Sequence, residues 1–329
     1  MTLLVTGGAG YIGSHVVQQL LAANEEVVVL DDLSTGFREA VGDASLVVGN
    51  VGDAALLDRL FGEHRIEAVL HFAARTIVPE SVADPLRYYG NNTCNTRTLL
   101  DACARAGVQR FVFSSTAAVY GVPGDGRCHE DSPTEPINPY GRSKLMSEWM
   151  LRDLGANGAL RFVTLRYFNV AGCDPHGRIG QSTPKATLLV KVACEVATGR
   201  RGRLLVFGTD YPTRDGTGVR DYIHVVDLAR AHLDALAYLR SGGASTTLNC
   251  GYGHGFSVRE VIAAVESAHG APIAVEEVGR RPGDPPELIA DAERIRQEIG
   301  WVPRHDDLDL ICRTSLAWER RLAAGGGYC

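Results

Sequence analysis

A glycine-rich turn near the start of the chain separates an apolar run from a helical pattern. The apolar run is Leu3-Leu4-Val5, and the turn reads Gly7-Gly8-Ala9-Gly10-Tyr11-Ile12-Gly13. Residues 14–23 then place their apolar side chains on one side of a helix. A strand that turns through glycines into a helix brings free backbone N–H groups and the positive helix end to one point, which suits a diphosphate. Taken alone, the same letters also fit a purely structural turn.

The next apolar run gives this turn its context. Val27-Val28-Val29-Leu30 ends at Asp31-Asp32. In dinucleotide-binding folds, an acidic residue at the tip of the second strand holds the hydroxyl groups of the adenosine ribose. Two acids here, with no arginine until Arg38, favour NAD over its 2′-phosphorylated form. The turn and the acids together predict a dinucleotide site.

The composition restricts the classes of partner. The chain has 329 residues, of which 45% are hydrophobic and 22% charged, and its net charge is −6. The negative charge argues against nucleic acid or an anionic membrane as partners, and no apolar run approaches the roughly 18 residues that a membrane span needs. Eight cysteines without C-x-x-C spacing, and the lack of a charged leader, predict a cytoplasmic protein with no signal peptide and no metal site.

Strand-like and helix-like patterns alternate over residues 1–120, which predicts a parallel sheet with helices on both faces. Helical spacing predicts, among others, helices over residues 88–106, 140–154 and 256–269. We therefore expect an α/β fold, a Rossmann-type doubly wound parallel sheet with a smaller α/β substrate lobe. Residues 1–170 would form the dinucleotide-binding domain and 221–250 would return to it. Residues 171–220 and 251–329, which differ in composition, would form the smaller lobe.

Polar or small residues follow several predicted strands, at the edge where ligands bind in open α/β sheets. Asn50 follows the third strand and offers both a donor and an acceptor to an adenine ring. Ala73-Ala74 follow the fourth strand and leave room for a flat ligand, and Asn91 stands near the start of the next helix. Ser114-Ser115-Thr116 end the fifth strand as a cluster of hydroxyl groups. Each of these also fits an ordinary turn, cap or packing position.

A tyrosine and a lysine stand four residues apart at the start of the helix predicted over 140–154. Tyr140 and Lys144 therefore share one helix face and can touch. A lysine ammonium beside a phenol stabilises the phenolate, so we expect the pKa of Tyr140 to be lowered toward the working pH. On its own the pair fits two ordinary surface residues. This chain also has a glycine turn, an acidic tip on its second strand and a hydroxyl-bearing tip on its fifth strand. Together with these features, the pair indicates a catalytic base and its modulator.

Two arginines in the second half are candidates for binding an anion. Arg220 follows a long loop over residues 208–218, and Arg281 stands in Arg281-Pro282-Gly283-Asp284. An arginine held in a rigid turn suits bidentate contact with a phosphate. Surface salt bridging remains the alternative for both.

These motifs together resemble the extended short-chain dehydrogenase/reductase family, and within it the 4-epimerases of UDP-sugars. The resemblance runs nearly end to end, and its most specific pieces are residues 7–13, Tyr140-x-x-x-Lys144, Arg166-Tyr167-Phe168-Asn169, and segments 208–212 and 215–224. It implies a redox-neutral inversion of C4 of a UDP-hexose, UDP-galactose to UDP-glucose, through a transient 4-keto sugar and with tightly held NAD. It also implies a homodimer in which the helices over 88–106 and 140–154 pair with a second copy.

The resemblance also implies a role for each site residue. Tyr140 would be the catalytic base, Lys144 its modulator, and Thr116 the hydroxyl on the sugar 4-oxygen. The implied cofactor-binding residues are Gly7, Gly10, Tyr11, Ile12, Gly13, Asp31, Asp32, Ser34, Thr35, Gly36, Asn50, Val51, Phe72, Ala73, Ala74, Asn91, Ser114, Tyr140, Lys144, Tyr167 and Phe168. The implied substrate-binding residues, which make the smaller lobe a UDP-sugar-binding lobe, are Thr116, Tyr140, Asn169, Val206, Phe207, Arg220, Arg281, Asp284 and Leu288.

The sugar is left open by this reasoning. An epimerase for UDP-N-acetylhexosamines or UDP-pentoses would use the same chemistry, and by the resemblance Leu288 borders the sugar pocket. Nucleotide-sugar dehydratases of the family carry Asp-Glu where this chain has Ala117-Ala118, which ranks dehydration low. A non-catalytic NAD-binding protein would not need Tyr140 and Lys144. The positions that depart from the commonest family pattern are Asn50, Thr76, Pro79 and Leu188.

Overall fold

Strands and helices alternate along the first half of the chain, as its apolar runs predict. The computed structural model describes residues 1–124, 126–184, 186–281 and 283–328; Pro282, named above, and Cys329, one of the eight cysteines, lie outside the described residues. The strands are β1 (Thr2–Thr6), β2 (Glu26–Asp31), β3 (Ser45–Val48), β4 (Ile66–His71), β5 (Arg110–Ser114), β6 (Arg127–Cys128), β7 (Arg161–Tyr167), β8 (Asn169–Ala171), β9 (Leu204–Phe207), β10 (Val219–Arg220), β11 (Tyr222–His224), β12 (Thr246–Cys250), β13 (Phe256–Ser257), β14 (Val275–Val278) and β15 (Glu287–Ala290). The helices are α1 (Tyr11–Ala22), α2 (Ala54–Glu63), α3 (Val78–Ala83), α4 (Pro85–Tyr88), α5 (Asn95–Ala106), α6 (Pro139–Ala156), α7 (Leu189–Ala197), α8 (Val225–Arg240), α9 (Val258–His269), α10 (Glu293–Ile299) and α11 (Leu308–Ala323).

The large sheet is parallel and has seven strands in the order β12-β7-β5-β4-β1-β2-β3. The chain runs outward from β1 to β3, then returns to the other side of β1 at β4. The strand order therefore reverses between β1 and β4, and in open α/β sheets a ligand crevice forms outside the carboxyl ends of the strands at this point. The expected doubly wound fold is confirmed. Strand β12 closes the far edge beside β7.

The two faces of the sheet bury two separate hydrophobic clusters, because side chains alternate along each strand. Leu3 and Val5 of β1 pack in one cluster with residues of α1 and α8. Leu4, between them, packs in the other with residues of α2 and α5. Both faces are thus covered by helices, as continuous apolar strands require.

Shorter elements build a second layer beside the large sheet. A four-stranded sheet has the order β13-β10-β15-β6, and two-stranded sheets pair β11 with β8 and β14 with β9. Helices α7, α9 and α11 pack against one another. The parallel pair of β10 with β15 places Arg220 opposite Leu288. No helix among the described residues is long and apolar enough to cross a membrane.

Two predicted helix boundaries are wrong. The helix expected over 88–106 has a π-helical segment, Tyr89–Cys94, between α4 and α5. Asn92 of this segment turns its side chain away from the helix and bonds to both backbone groups of Arg75 and to Ser143 Oγ. The helix expected from Phe256 begins at Val258, because Ser257 caps it in a capping box with Glu260.

Candidate active site

The glycine turn brings the start of α1 against the tips of β1 and β4. Gly7 has φ +72°, and a Cβ there would lie 2.5 Å from the backbone nitrogen of Ala73. A Cβ on Gly13 would lie 2.2 Å from the carbonyl oxygen of Gly7. These distances leave no room for a side chain, so both positions require glycine, and the first turn of α1 lies directly beside the strand tips.

Gly10 differs from the other glycines of the turn because it faces open space. A Cβ there would meet only the Gly7 oxygen, at 3.4 Å. Gly10 is the N-cap of α1 and has no side chain to satisfy the first N–H groups of the helix. A helix N-terminus at the reversal point of the sheet, with no side chain in front of it, fits the diphosphate of a dinucleotide.

The two acids after β2 fix the backbone of the following turn. Asp31 accepts hydrogen bonds from the backbone N–H groups of Ala9 (2.9 Å) and Leu33 (2.8 Å), and burial raises its pKa. Asp32 accepts from the N–H of Ser34 at 3.0 Å. A Cβ on Gly36 would lie 2.7 Å from the backbone carbon of Ala9, so residues 31–36 pack directly on the glycine turn. Ser34, Thr35 and Gly36 therefore stand beside the acids, as a ribose site requires.

The predicted adenine contact, Asn50, already has protein partners. Its amide nitrogen donates to Asp32 at 3.3 Å, and its oxygen accepts from the Gly52 N–H at 2.8 Å and from Asn95 at 3.0 Å. The next residue, Val51, is buried in the apolar cluster that contains α2. The structure thus gives Asn50 a role in joining β2 and β3 to α5, whatever it contributes to a ligand.

Further cofactor candidates lie at the tips of β4, β5 and β7. Ala73 N–H donates to the carbonyl of Thr6 at 3.1 Å, and the Phe72 ring lies 4.7 Å from that of His232. Ser114 Oγ and the Tyr167 hydroxyl are hydrogen bonded, and Phe168 is buried. Asn91 donates to Asn92 at 3.1 Å, within the π-helical segment.

Helix α6 begins in a way that places Tyr140 in its first turn. Asn138 caps the helix by accepting from the Gly141 N–H at 2.9 Å, and Pro139 occupies the first helical position. Tyr140 is buried, and the hydroxyl of Thr116 lies close enough to it to lower its pKa. The predicted base and the predicted sugar-binding hydroxyl therefore lie side by side.

The expected direction of the Tyr140 pKa is wrong for the chain by itself. Burial raises the pKa of Tyr140 to about 12, and the Thr116 hydroxyl is the group that lowers it. The ammonium of Lys144 instead donates to the Ser114 carbonyl at 2.7 Å and lies 4.8 Å from the centre of the Phe113 ring. Burial lowers the pKa of Lys144 to about 7, against the influence of the Glu148 carboxylate. Burial removes water from the phenol, and this sets the direction of the Tyr140 pKa. The expected effect of Lys144, inferred from the helix spacing, does not reverse it.

Most of the predicted substrate-binding residues meet at one cavity of about 290 Å³ in the second layer. Its wall includes Asn169, Phe207, Arg220, Arg281 and Asp284. The Arg281 guanidinium lies 3.6 Å from the centre of the Phe207 ring, and Arg220 lies 3.7 Å from Asp284. Arg220 thus forms a salt bridge, as the alternative interpretation expected. Both arginines also line the cavity.

Four predicted substrate residues are absent from the described lining of this cavity: Thr116, Tyr140, Val206 and Leu288. Thr116 and Tyr140 lie after β5 and at the start of α6. Val206 of β9 is buried, and Leu288 is half-buried against the core beside Arg220. Leu188, to which sequence reasoning gave no role, does line the cavity.

Known proteins share the sequence and the fold of this chain. The sequence model of the NAD dependent epimerase/dehydratase family matches residues 3–251. The chain belongs to this family. A UDP-glucose 4-epimerase from Azospirillum brasilense is 59% identical over 99% of this chain and 94% of the relative. The structure of a UDP-glucose 4-epimerase from Brucella ovis in complex with NAD is 43% identical, covers 97% of this chain and 98% of its own, and has a TM-score of 0.95. That of a Bifidobacterium longum UDP-glucose 4-epimerase in complex with NAD+ and UDP is 38% identical, covers 100% of both chains, and has a TM-score of 0.93.

Sequence reasoning about this epimerase/dehydratase family member missed several residues of the cavity wall. Tyr211, Tyr222, Arg201 and Arg203 all line it. Arg201 and Arg203 precede β9 in a basic run, a signal that could have been read as an anion site. In the structure they are bonded to Glu195 and Glu276, respectively. The two tyrosines carried no sequence signal beyond their place in segments 208–212 and 215–224.

Gly10→Ala should remove the cofactor without unfolding the protein. The added methyl group would project into the crevice, whereas its effect on the helix cap is at most about 1 kcal/mol. The measurement is the NAD released per chain on denaturation, beside the urea unfolding curve. Gly62→Ala is the control, because a Cβ there meets nothing within 4 Å. Full NAD content in Gly10→Ala would show that the diphosphate does not lie at this helix end.

Proposed function

We propose that this protein interconverts UDP-galactose and UDP-glucose by inverting C4 of the hexose through a transient 4-keto sugar, with tightly held NAD. The observation that carries the proposal is that Tyr140 and Lys144 lie beside Thr116 at the ligand edge of the large sheet, where Lys144 donates to the Ser114 carbonyl. One short segment connects it to the cavity: Tyr167 bonds to Ser114 beside Thr116, and Asn169 lines the wall. A base for the sugar and arginines for a diphosphate therefore stand at the two ends of residues 167–169.

In the proposed reaction, Tyr140 takes the proton of the sugar 4-hydroxyl and later returns it. Thr116 holds the 4-oxygen and donates to the phenolate, which favours the charged form. Lys144, fixed on the Ser114 carbonyl, adds a positive charge on the same helix face when it is protonated, and burial lowers its pKa to about 7. NAD⁺, held by the predicted cofactor-binding residues, would supply the acceptor and donor of hydride for C4, and its positive charge would further lower the pKa of Tyr140. The predicted cofactor-binding residues, from Gly7 to Phe168, remain the proposed contacts of NAD.

The distribution of charged groups suits a reaction in which the sugar ring must rotate to present its other face to the cofactor. Arg220 and Arg281 lie in the cavity wall, and we assign them to the diphosphate, with Phe207, Asn169 and Asp284 beside the rest of the UDP. Strong contacts to UDP and few directional contacts to the sugar would let either face of C4 reach the cofactor. Val206 would contribute through its backbone, because its side chain is buried.

The purified protein, with no cofactor added, should convert UDP-galactose to UDP-glucose. Tyr140→Phe should lower kcat by about 10²–10⁴-fold, the usual loss when a general acid–base is removed, with the affinity for UDP little changed. Thr116→Val should be impaired and Thr116→Ser nearly normal. Full activity in Tyr140→Phe would contradict the mechanism. A panel of UDP-hexoses, UDP-N-acetylhexosamines and UDP-pentoses identifies the sugar, and Leu288→Tyr tests whether Leu288 borders it.

Arg281→Ala should weaken the binding of UDP itself. Removing one partner of a charge pair buried by the ligand costs roughly 2–5 kcal/mol, which is about 30-fold or more in Kd. The control is Arg280→Ala. Arg280 donates to Asp210 at 2.7 Å and stacks 4.3 Å from the centre of the Tyr211 ring, and it is absent from the described lining of the cavity. Calorimetry with UDP should separate the two variants; equal affinities would return Arg281 to a structural role.

We also propose that the protein is a cytoplasmic homodimer. Six of the described cysteines are free thiols, as expected in a reducing compartment: Cys94, Cys103, Cys173, Cys194, Cys250 and Cys312. Three apolar side chains on α3, α4 and α6 are exposed, with Val82 at 63%, Leu86 at 79% and Trp149 at 49%. Helix α6 packs against both α3 and α4, so these exposed side chains are carried by three neighbouring helices. An exposed apolar face of this kind is typical of a surface that pairs with a second copy.

Trp149→Glu should convert the dimer to monomers, because a carboxylate would be buried at the interface without a partner. Sedimentation velocity at micromolar concentration measures the change. Val302→Glu serves as the control, since Val302 is also exposed, at 67%, but follows β15 and α10 in the second layer. A wild-type monomer, or dissociation in both variants, would rule out this interface.

A further inference from the structure

We propose that the buried carboxylate of Glu148 is a positioning residue for the reaction: it holds α6 on the tip of β5 and balances the charge of Lys144. The proposal rests on the function given above, because it concerns how Tyr140 and Lys144 are held and charged.

Glu148 continues a stripe of buried side chains along α6. Tyr140, Lys144 and Glu148 are spaced by four residues and are 7%, 3% and 1% exposed. Residues at this spacing lie one above another on the same helix face. A carboxylate one turn beyond the lysine is therefore on the face that carries the chemistry, although it is too far along the helix to serve as the base.

Three consecutive residues at the end of β5 face the three side chains of this stripe. The Thr116 hydroxyl lies close enough to Tyr140 to lower its pKa, and the Ser114 carbonyl accepts from Lys144 at 2.7 Å. Between them, Ser115 Oγ donates to Glu148 Oε1 at 2.5 Å. The contact of Ser115 with Glu148 thus sets the height of α6 along the strand tip, and with it the positions of the base and the lysine.

Arg166 completes the attachment from the neighbouring strand β7. Its Nε donates to Glu148 Oε1 at 3.0 Å and its Nη2 to Oε2 at 2.6 Å, a bidentate pair. Its Nη1 donates to the Tyr120 hydroxyl at 3.0 Å, which in turn donates to Asn249 of β12 at 2.7 Å. The carboxylate is therefore fixed by two strands, and the guanidinium by a network that reaches the edge of the large sheet.

Among the described residues, Glu148 is the acidic group whose charge raises the pKa of Lys144. His71 of β4 faces Lys144, but burial lowers its pKa to about 3, so it is neutral at neutral pH. On the other packed elements, burial raises the pKa of Tyr167 on β7 and of Tyr88 on α4, whose hydroxyl donates to Glu80 of α3. Glu148 opposes the effect of burial on the pKa of Lys144, while Arg166 acts in the opposite sense by neutralising Glu148.

Two variants separate this role from a purely structural one, because they change the local charge in opposite directions. Glu148→Gln removes a negative charge and should lower the pKa of both Lys144 and Tyr140. Arg166→Gln frees the carboxylate and should raise both pKa values. Both variants should also be less stable than the wild type, so a lower urea midpoint is expected for both and does not distinguish the two roles. The opposite directions of the two pKa changes are what a structural role would not produce.

The chain offers a direct measurement, since it contains three lysines: Lys144, Lys185 and Lys191. Protein labelled with ¹³C at lysine Cε gives one NMR signal for each, and Lys144→Arg identifies that of Lys144. The Lys144 titration should move by about one pH unit downward in Glu148→Gln and upward in Arg166→Gln. The Lys191 signal is the internal control, because Lys191 is bonded to Glu319 on α11. This measurement needs no substrate, so it stands even if the proposed activity fails.

The pH profile of kcat with UDP-galactose should move in the same two directions. Glu148→Asp keeps the charge on a shorter side chain, and should retain the wild-type titration of Lys144 with a reduced kcat. A Lys144 signal that titrates at the same pH in the wild type and in Glu148→Gln would overturn the proposal. If Arg166→Gln does not fold, Glu148→Gln and Glu148→Asp decide by themselves.

Discussion

The structure depends on the close packing of the Gly7 backbone against the backbone of Ala73. A Cβ at Gly7 would lie 2.5 Å from the Ala73 nitrogen, so the first βα turn and the tip of β4 are in contact without side chains between them. This contact places the open N-terminus of α1 where the strand order reverses, and Asp31 fastens the next turn to it through the Ala9 N–H. The cofactor crevice of this epimerase/dehydratase family member is thus made by backbone atoms, and its shape follows from the absence of Cβ atoms.

Burial sets the electrostatics at the other side of the crevice. The phenol of Tyr140 and the ammonium of Lys144 lie in an environment that disfavours charge on either, which raises the pKa of the first and lowers that of the second. The hydroxyl of Thr116, the Ser114 carbonyl and the Glu148 carboxylate act against that effect. Small changes in local charge therefore move Lys144 through the pH range in which an enzyme works, whereas Tyr140 needs a further positive charge beside it to reach that range.

A nucleotide-sugar site must bind the nucleoside diphosphate firmly and must leave the sugar free to rotate. In this structure two different regions meet these two requirements. Cations and aromatic rings are concentrated at the cavity of Arg220, Arg281 and Phe207, which a nucleoside diphosphate would fill. The strand tip with Thr116 and Tyr140 offers few groups that could fix a sugar ring in one orientation. Segment 167–169 connects the two parts, so the distance between them is set by the end of β7 rather than by a flexible linker.

The sequence by itself determined the features that depend on neighbouring residues. The glycine turn, the alternation of strands and helices, and the spacing of Tyr140 and Lys144 are local patterns, and they predicted the doubly wound sheet and the family correctly. The sequence also indicated which residues to examine in the site. It placed the helix start at Phe256 rather than Val258, because a capping box shortens a helix that apolar spacing alone would extend.

Only the tertiary structure decided what depends on burial between distant segments. It reversed the expected direction of the Tyr140 pKa, joined Glu148 to Arg166, and brought Leu188 and Arg201 into the cavity wall. Asn50 likewise acquired partners from β2 and α5. Desolvation and long-range hydrogen bonds are properties of the packed environment of a side chain, and no spacing along the chain encodes which residues will exclude water from it.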